Sequence, residues 1–182
     1  MTSPLIFHAA PSAGFDEPFE MLAACHERVQ RMLGLLERLA AHLAAHGADE
    51  QAAQAARDVM RYFDLAGPAH HEDEERHVFP LLLAQGDGGL SATVRRLQQD
   101  HRDMHQQWQA VRADLLDVAQ KPAPVSARMA DEAAARWAAF AVLYRRHIDV
   151  EEAQAYPAAR SLTDAPALAV MGREMAQRRG QP

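Results

Sequence analysis

Two stretches of the chain carry one pattern of chemistry-bearing residues. His70 is followed by Glu74, Glu75, Phe79 and Pro80, and His147 by Glu151, Glu152, Tyr156 and Pro157. On an α-helix, positions four apart differ by about 40° in azimuth and about 6 Å in height. A histidine and a glutamate placed in this way reach one small volume, as two ligands of one metal site require. Each copy also follows a further histidine at nearly the same interval, His26 before His70 and His101 before His147. His101 sits in a stripe of Val94, Leu97, Met104, Trp108, Val111 and Leu115. His26 lies among Leu22, Val29 and Leu33, and His147 follows Trp137, Phe140 and Tyr144.

Taken singly, a histidine on an apolar stripe reads as a hydrogen-bonded core residue, and a His-x3-Glu pair as a solvated helix contact. Their combination reverses that reading. Ionised carboxylates in a bundle core cost several kcal/mol each unless they are paired or bound to metal. The core stripes carry no lysine or arginine to pair them. Imidazole and carboxylate without sulfur suit iron, manganese or zinc. Cys25 is the only cysteine, which excludes a thiolate cluster and an intrachain disulfide. Shared between two ions, four histidines and two bridging glutamates give each ion two nitrogens and two oxygens. Room then remains for an oxo or hydroxo bridge and an exogenous ligand, a coordination that favours iron over tetrahedral zinc. The expected metal ligands are His26, His70, Glu74, His101, His147 and Glu151, holding two non-heme iron ions.

These residues need helices to position them. Asp16 and Pro18 mark a helix start, with Asp16 as the N-cap, and Gly47 its end. Asp49 can cap a second helix over Glu50 to Ala84, with a kink at Gly67-Pro68. A third helix is expected over Leu90 to Gln120, where Pro122 and Pro124 follow, and a fourth over Val125 to Ser161. A short last helix, capped by Thr163 or Asp164, ends before Gly180. Four long helices joined by short turns predict an all-α, antiparallel up-down-up-down four-helix bundle. The expected organisation is an N-terminal arm over 1–15, the bundle over 16–161 and a C-terminal helix and tail over 162–182.

Composition sets outer limits. Of 182 residues, 48% are apolar, enough for one core. A net charge of −6 argues against nucleic-acid binding, which draws on positive charge against phosphate. No run approaches the roughly 20 apolar residues of a membrane span, and no secretory signal is evident, so a cytoplasmic location is expected.

The first-helix segment Cys25-His26-Glu27-Arg28, both His-x3-Glu-Glu motifs with their aromatic-proline ends, and Gln99-Asp100-His101 together closely resemble the hemerythrin-like, or HHE cation-binding, domain. The resemblance covers roughly Pro18 to Arg160. It implies a di-iron centre in which His26 and His70 bind one iron, His101 and His147 the other, and Glu74 and Glu151 bridge. It also implies a binding or sensing function toward oxygen, nitric oxide, redox state or iron. The alternative is a di-iron oxidoreductase that reduces peroxide or nitric oxide, mobilises iron or repairs iron–sulfur clusters. The chain lacks the two extra histidines that oxygen-carrying hemerythrins place near the third and fourth ligands, unless His105 supplies one. It also lacks the cysteine-bearing extension of cluster-repair members.

Among the remaining residues, His71 is expected at the rim of the site, His105 on the surface and His77 at the core edge. Tyr144 is read as a core residue able to donate to a ligand, and Cys25 as a buried inert thiol. His8, His42 and His46 read as solvated or tail positions. No catalytic residue is assigned.

Overall fold

The structure, a computed structural model, describes residues 14–120 and 127–181. Every regular element among them is helical: α1 Pro18–His46, α2 Glu50–His77, α3 Phe79–Ala84, α4 Gly88–Gln120, α5 Ala127–Val150, a π-helical turn Glu151–Ala155, α6 Tyr156–Leu162 and α7 Ala165–Arg178. The expected arm over 1–15 and the start of the fourth helix at Val125 fall largely outside the described residues.

The helix ends follow local chemistry. Asp49 accepts a hydrogen bond from the Ala52 amide at 2.8 Å, Asp87 from Leu90 at 2.8 Å and Asp164 from Ala167 at 2.9 Å. Gly47, at φ 75°, ends α1 and donates its N–H to Leu43. Asp16 is not the cap expected for α1. Helix α1 begins at Pro18, and Glu17 takes the cap position with a non-helical backbone (φ −125°, ψ 72°) and no side-chain cap bond. A residue before proline is pushed out of the helical region, so Pro18 sets this boundary.

The second helix departs from expectation. It runs through Pro68 but ends at His77 and not at Ala84, so α3, beyond Val78, is a separate segment. Pro80 cannot donate to the Arg76 carbonyl, and its ring crowds that oxygen. At the second position of a new helix the missing N–H costs nothing, which is where Pro80 sits. The fourth helix is interrupted at the matching place. Glu151–Ala155 form a π turn before α6, whose second residue is Pro157. The first interruption, at Val78, falls three residues after Glu75, and the second contains Glu151 and Glu152.

Helices α1, α2, α4 and α5 close a ring: α1 packs on α2 and α5, and α4 packs on α2 and α5. Two apolar clusters fill it. One holds Val29, Leu33, Phe63, Met104, Trp108, Trp137, Phe140 and Ile148. The other holds Phe19, Leu22, Val78, Phe79, Leu97, Ala155, Tyr156 and Met175. On every long helix the polar core residues fall between the two. His26 separates Leu22 from Val29, His70 and Glu74 separate Phe63 from Val78, His101 separates Leu97 from Met104, and His147 and Glu151 separate Tyr144 from Ala155. The candidate ligands therefore form one polar layer across the bundle.

Helix α7 closes one flank against α1 and α2. Its Gly172 lies so close to the Phe15 carbonyl that a Cβ atom there would stand 2.0 Å from that oxygen. Its far end contributes Arg178 and Arg179, which contact the fully buried Asp73 at 2.6 and 2.7 Å. Among the described residues, no helix is long and apolar enough to cross a membrane.

Candidate metal centre

All six expected ligands are buried, and the polar layer brings them together. His26, His70, Glu74 and Glu151 form one group whose donor atoms all lie within 4.8 Å of one another. Glu74, His101, His147 and Glu151 form a second. The two glutamates belong to both groups, and each turns one oxygen to each side. Glu74 Oε1 stands 3.5 Å from His70 Nε2, and Glu74 Oε2 stands 3.4 Å from His101 Nε2. Glu151 Oε2 lies 3.2 Å from His26 Nε2, and Oε1 lies 2.9 Å from His147 Nε2.

The four histidines enter from four helices, and two of them are held from behind. His26 Nδ1 lies 2.9 Å from Glu152 Oε1, and His101 Nδ1 lies 3.1 Å from Glu75 Oε1. A carboxylate there keeps the proton on Nδ1, so the Nε2 lone pair faces the centre. Glu75 follows Glu74 on α2 and serves the histidine of α4. Glu152 follows Glu151 and serves the histidine of α1. The second glutamate of each motif thus acts on the lone histidine of the other half. At His147, Nδ1 lies 3.6 Å from Asp100 Oδ2, while Arg146 bonds the other Asp100 oxygen at 2.7 Å.

The aromatic residues of the motif also cross between halves. Phe79 stacks on His101, with ring centroids 5.5 Å apart, and Tyr156 stacks on His26 at 5.3 Å. The Tyr156 hydroxyl donates to Glu74 Oε1 at 2.5 Å and lies 3.1 Å from His26 Nε2. Sequence reasoning assigned no role to Glu75, Glu152, Phe79 or Tyr156. Their signal was present, since each recurs at a fixed place in both copies of the motif.

Electrostatics in the layer are unbalanced. Burial pushes the Glu74 pKa up, but His70 and His101 outweigh it and hold the carboxyl well below its ordinary value. Burial and the Glu74 charge raise Glu151 well above its own. Burial, helped by neighbouring imidazoles, brings His70 down to about 3. For His26 and His101, burial opposes protonation, yet the facing carboxylates raise both. Glu74 Oε2 and both Glu151 oxygens have no hydrogen-bond partner. The nearby guanidinium groups serve other acids, Arg178 and Arg179 at Asp73 and Arg146 at Asp100. Among the described residues no lysine or arginine reaches Glu74 or Glu151. His101 Nε2 and His147 Nε2 face each other at 3.1 Å, an arrangement that needs a proton or a cation between two lone pairs. Orphaned carboxylate oxygens and inward imidazole nitrogens are the donor set a metal cation would satisfy.

Other residues fall nearer to or farther from the centre. His71 is more than a rim residue, because its ring stacks on His101 with centroids 4.0 Å apart, although it belongs to neither donor group. His77 faces α7, 3.3 Å from Glu174 and 3.0 Å from Arg178, and takes no part in the centre. His105 is exposed beside Gln109. His42 is half-buried and bonded to Asp49 at 3.0 Å, so it is not the solvated residue expected. His46 is exposed, and His8 lies outside the described residues. Tyr144 is buried against Phe63 and Phe140. Cys25 is buried beside His26.

The chain is similar to known proteins. The family model of the hemerythrin HHE cation-binding domain matches residues 17–159. A protein of Haemophilus influenzae, described as uncharacterized, is 30% identical over 168 residues, which cover 92% of each chain. With a buried layer of histidines and glutamates at its centre, the chain belongs to the hemerythrin HHE cation-binding domain family.

Proposed function

We propose that this bundle holds two non-heme iron ions and uses them to bind or sense a small diatomic ligand, oxygen or nitric oxide, or to report redox state or iron. One observation carries the reading: Glu74 turns one oxygen to His70 and the other to His101, and Glu151 turns one to His26 and the other to His147. A single ion would need only one of those faces. In this reading His26 and His70 hold one ion, His101 and His147 the other, and both glutamates bridge. The nitrogen and oxygen donors without sulfur suit iron. The antiparallel up-down-up-down order proposed for α1, α2, α4 and α5 is supported by their closed ring of contacts.

The iron, when bound, supplies redox and Lewis-acid chemistry. The chain's own residues orient and insulate it. Glu75 and Glu152 hold the Nδ1 protons of His101 and His26, which fixes both rings and strengthens them as ligands. Phe79 and Tyr156 cover those rings with apolar surface that keeps water from the layer.

Elemental analysis of protein purified with iron available tests the reading, with about two iron ions expected per chain. A single tightly held zinc and no capacity for iron would overturn it. Optical spectra of the reduced protein before and after oxygen or nitric oxide then test ligand binding. Unchanged spectra with both gases would remove the diatomic-ligand function and leave a metal-holding one.

A further inference from the structure

At one place in the repeated motif the two halves of the centre differ by a single oxygen atom. Phe79 and Tyr156 occupy the same place in the repeated motif, and each ring packs on the histidine that the other half contributes. Packing alone is satisfied by a phenyl ring, as Phe79 shows. The Tyr156 hydroxyl is an addition, placed 2.5 Å from Glu74 Oε1 and 3.1 Å from His26 Nε2. The second separation falls within the spacing of the donor atoms themselves, which stand 2.9 to 3.5 Å apart between His26, His70, His147 and the two glutamates; the first is a short hydrogen bond. Tyr156 is buried, and of the four ligand histidines its hydroxyl contacts His26.

We propose that Tyr156 is a further metal ligand, serving the His26/His70 half alone, so that the two ion positions are unequal and the exchangeable position lies on the His101/His147 half beside Phe79. The proposal rests on the di-iron reading above. A phenol oxygen adds one donor to a group that otherwise offers two nitrogens and two oxygens, losing its proton to solvent as it binds. The other half has only the Phe79 ring at the matching place, so a coordination position there stays free for an incoming ligand. Glu74 Oε1 accepts the phenol hydrogen bond and keeps a second lone pair for a metal. The hydroxyl and His26 Nε2, 3.1 Å apart, lie on one side of the layer, where one ion can take both.

The test uses the full chain loaded with iron in air. Ferric iron bound by a phenolate absorbs in the visible, and excitation in that band enhances tyrosine ring vibrations in the resonance Raman spectrum. Wild type should show both signals, and Tyr156→Phe should lose both while elemental analysis still finds most of the iron. The chain has three tyrosines, Tyr62, Tyr144 and Tyr156. A Tyr62→Phe/Tyr144→Phe double variant should therefore keep the signals, and it decides the matter if Tyr156→Phe holds too little iron to read. Iron-loaded wild type without a phenolate signal, or a signal that survives in Tyr156→Phe, overturns the proposal and leaves the di-iron reading standing. Wild type that takes up no iron overturns both.

Discussion

Stripping the metal should lower the melting temperature sharply, and Glu151→Gln should separate the cause. A ligand that binds only the folded chain stabilises it by RT ln(1 + [L]/Kd), which is about 4 kcal/mol for one ion at a thousandfold excess over Kd. For a chain of this length each kcal/mol moves the melting temperature by about 2–4 °C. One tightly held ion is therefore expected to raise it by about 8–16 °C, and a second ion by more. The metal-free protein carries its own pH dependence. The folded-state pKa of Glu151 is raised by burial and by the Glu74 charge above its ordinary value of 4.5. A raised carboxyl contributes stability that is complete below the ordinary value and is lost as pH climbs through the folded-state value. Through Glu151, metal-free wild type should thus lose stability on that climb relative to metal-free Glu151→Gln, whose amide has no proton to give up. The same substitution removes a bridging ligand, so it should shrink the metal-induced rise. Thermal melts followed by circular dichroism, with and without chelator across pH, measure all four states. Equal melting temperatures for metal-free and iron-loaded wild type would refute the coupling of these carboxylates to a buried metal. A full metal-induced rise in Glu151→Gln would refute its bridging role.

Other substitutions read single parts of the centre. Glu152→Gln and Glu75→Gln should each weaken metal binding by about 10–100-fold, since each removes the carboxylate that orients His26 or His101. Competitive titration against a chelator checks this, and unchanged affinity in both would remove them from the site. His70→Ala should lower iron occupancy far more than His71→Ala, because His71 packs against His101 but belongs to neither donor group. Similar iron content in the two variants would show the wrong histidine was assigned. Away from the centre, Gly172→Ala should destabilise the fold by about 1–3 kcal/mol, because the new methyl would meet the Phe15 carbonyl. An unshifted denaturant midpoint would mean that α7 does not pack there in solution.

Much of this protein is legible from its residues in order. The helical periodicity and the turn residues at Gly47, Asp49 and Asp164 mark helix ends that depend on neighbours three or four residues away. The doubled His-x3-Glu-Glu motif places two ligands on one helix face by helical geometry alone. The two breaks were harder to place. Pro68 and Pro80 look alike as helix breakers, yet α2 runs through the first and ends before the second. Local chemistry allows either outcome, and the packing of neighbouring helices selects between them.

What the sequence determined by itself was the all-helical class, the family and the residue types able to bind metal, since periodicity, caps and motif spacing are local. Tertiary structure alone decided how the two halves interlock. Glu75 serves His101, Glu152 serves His26, and Phe79 and Tyr156 each cover the histidine of the other half. It also decided that α7 should bring Arg178 and Arg179 to Asp73, beside a ligand. These partners are separated by tens of residues or more. Nothing in helical spacing relates them, and only the mutual burial of four amphipathic faces sets which side chains meet.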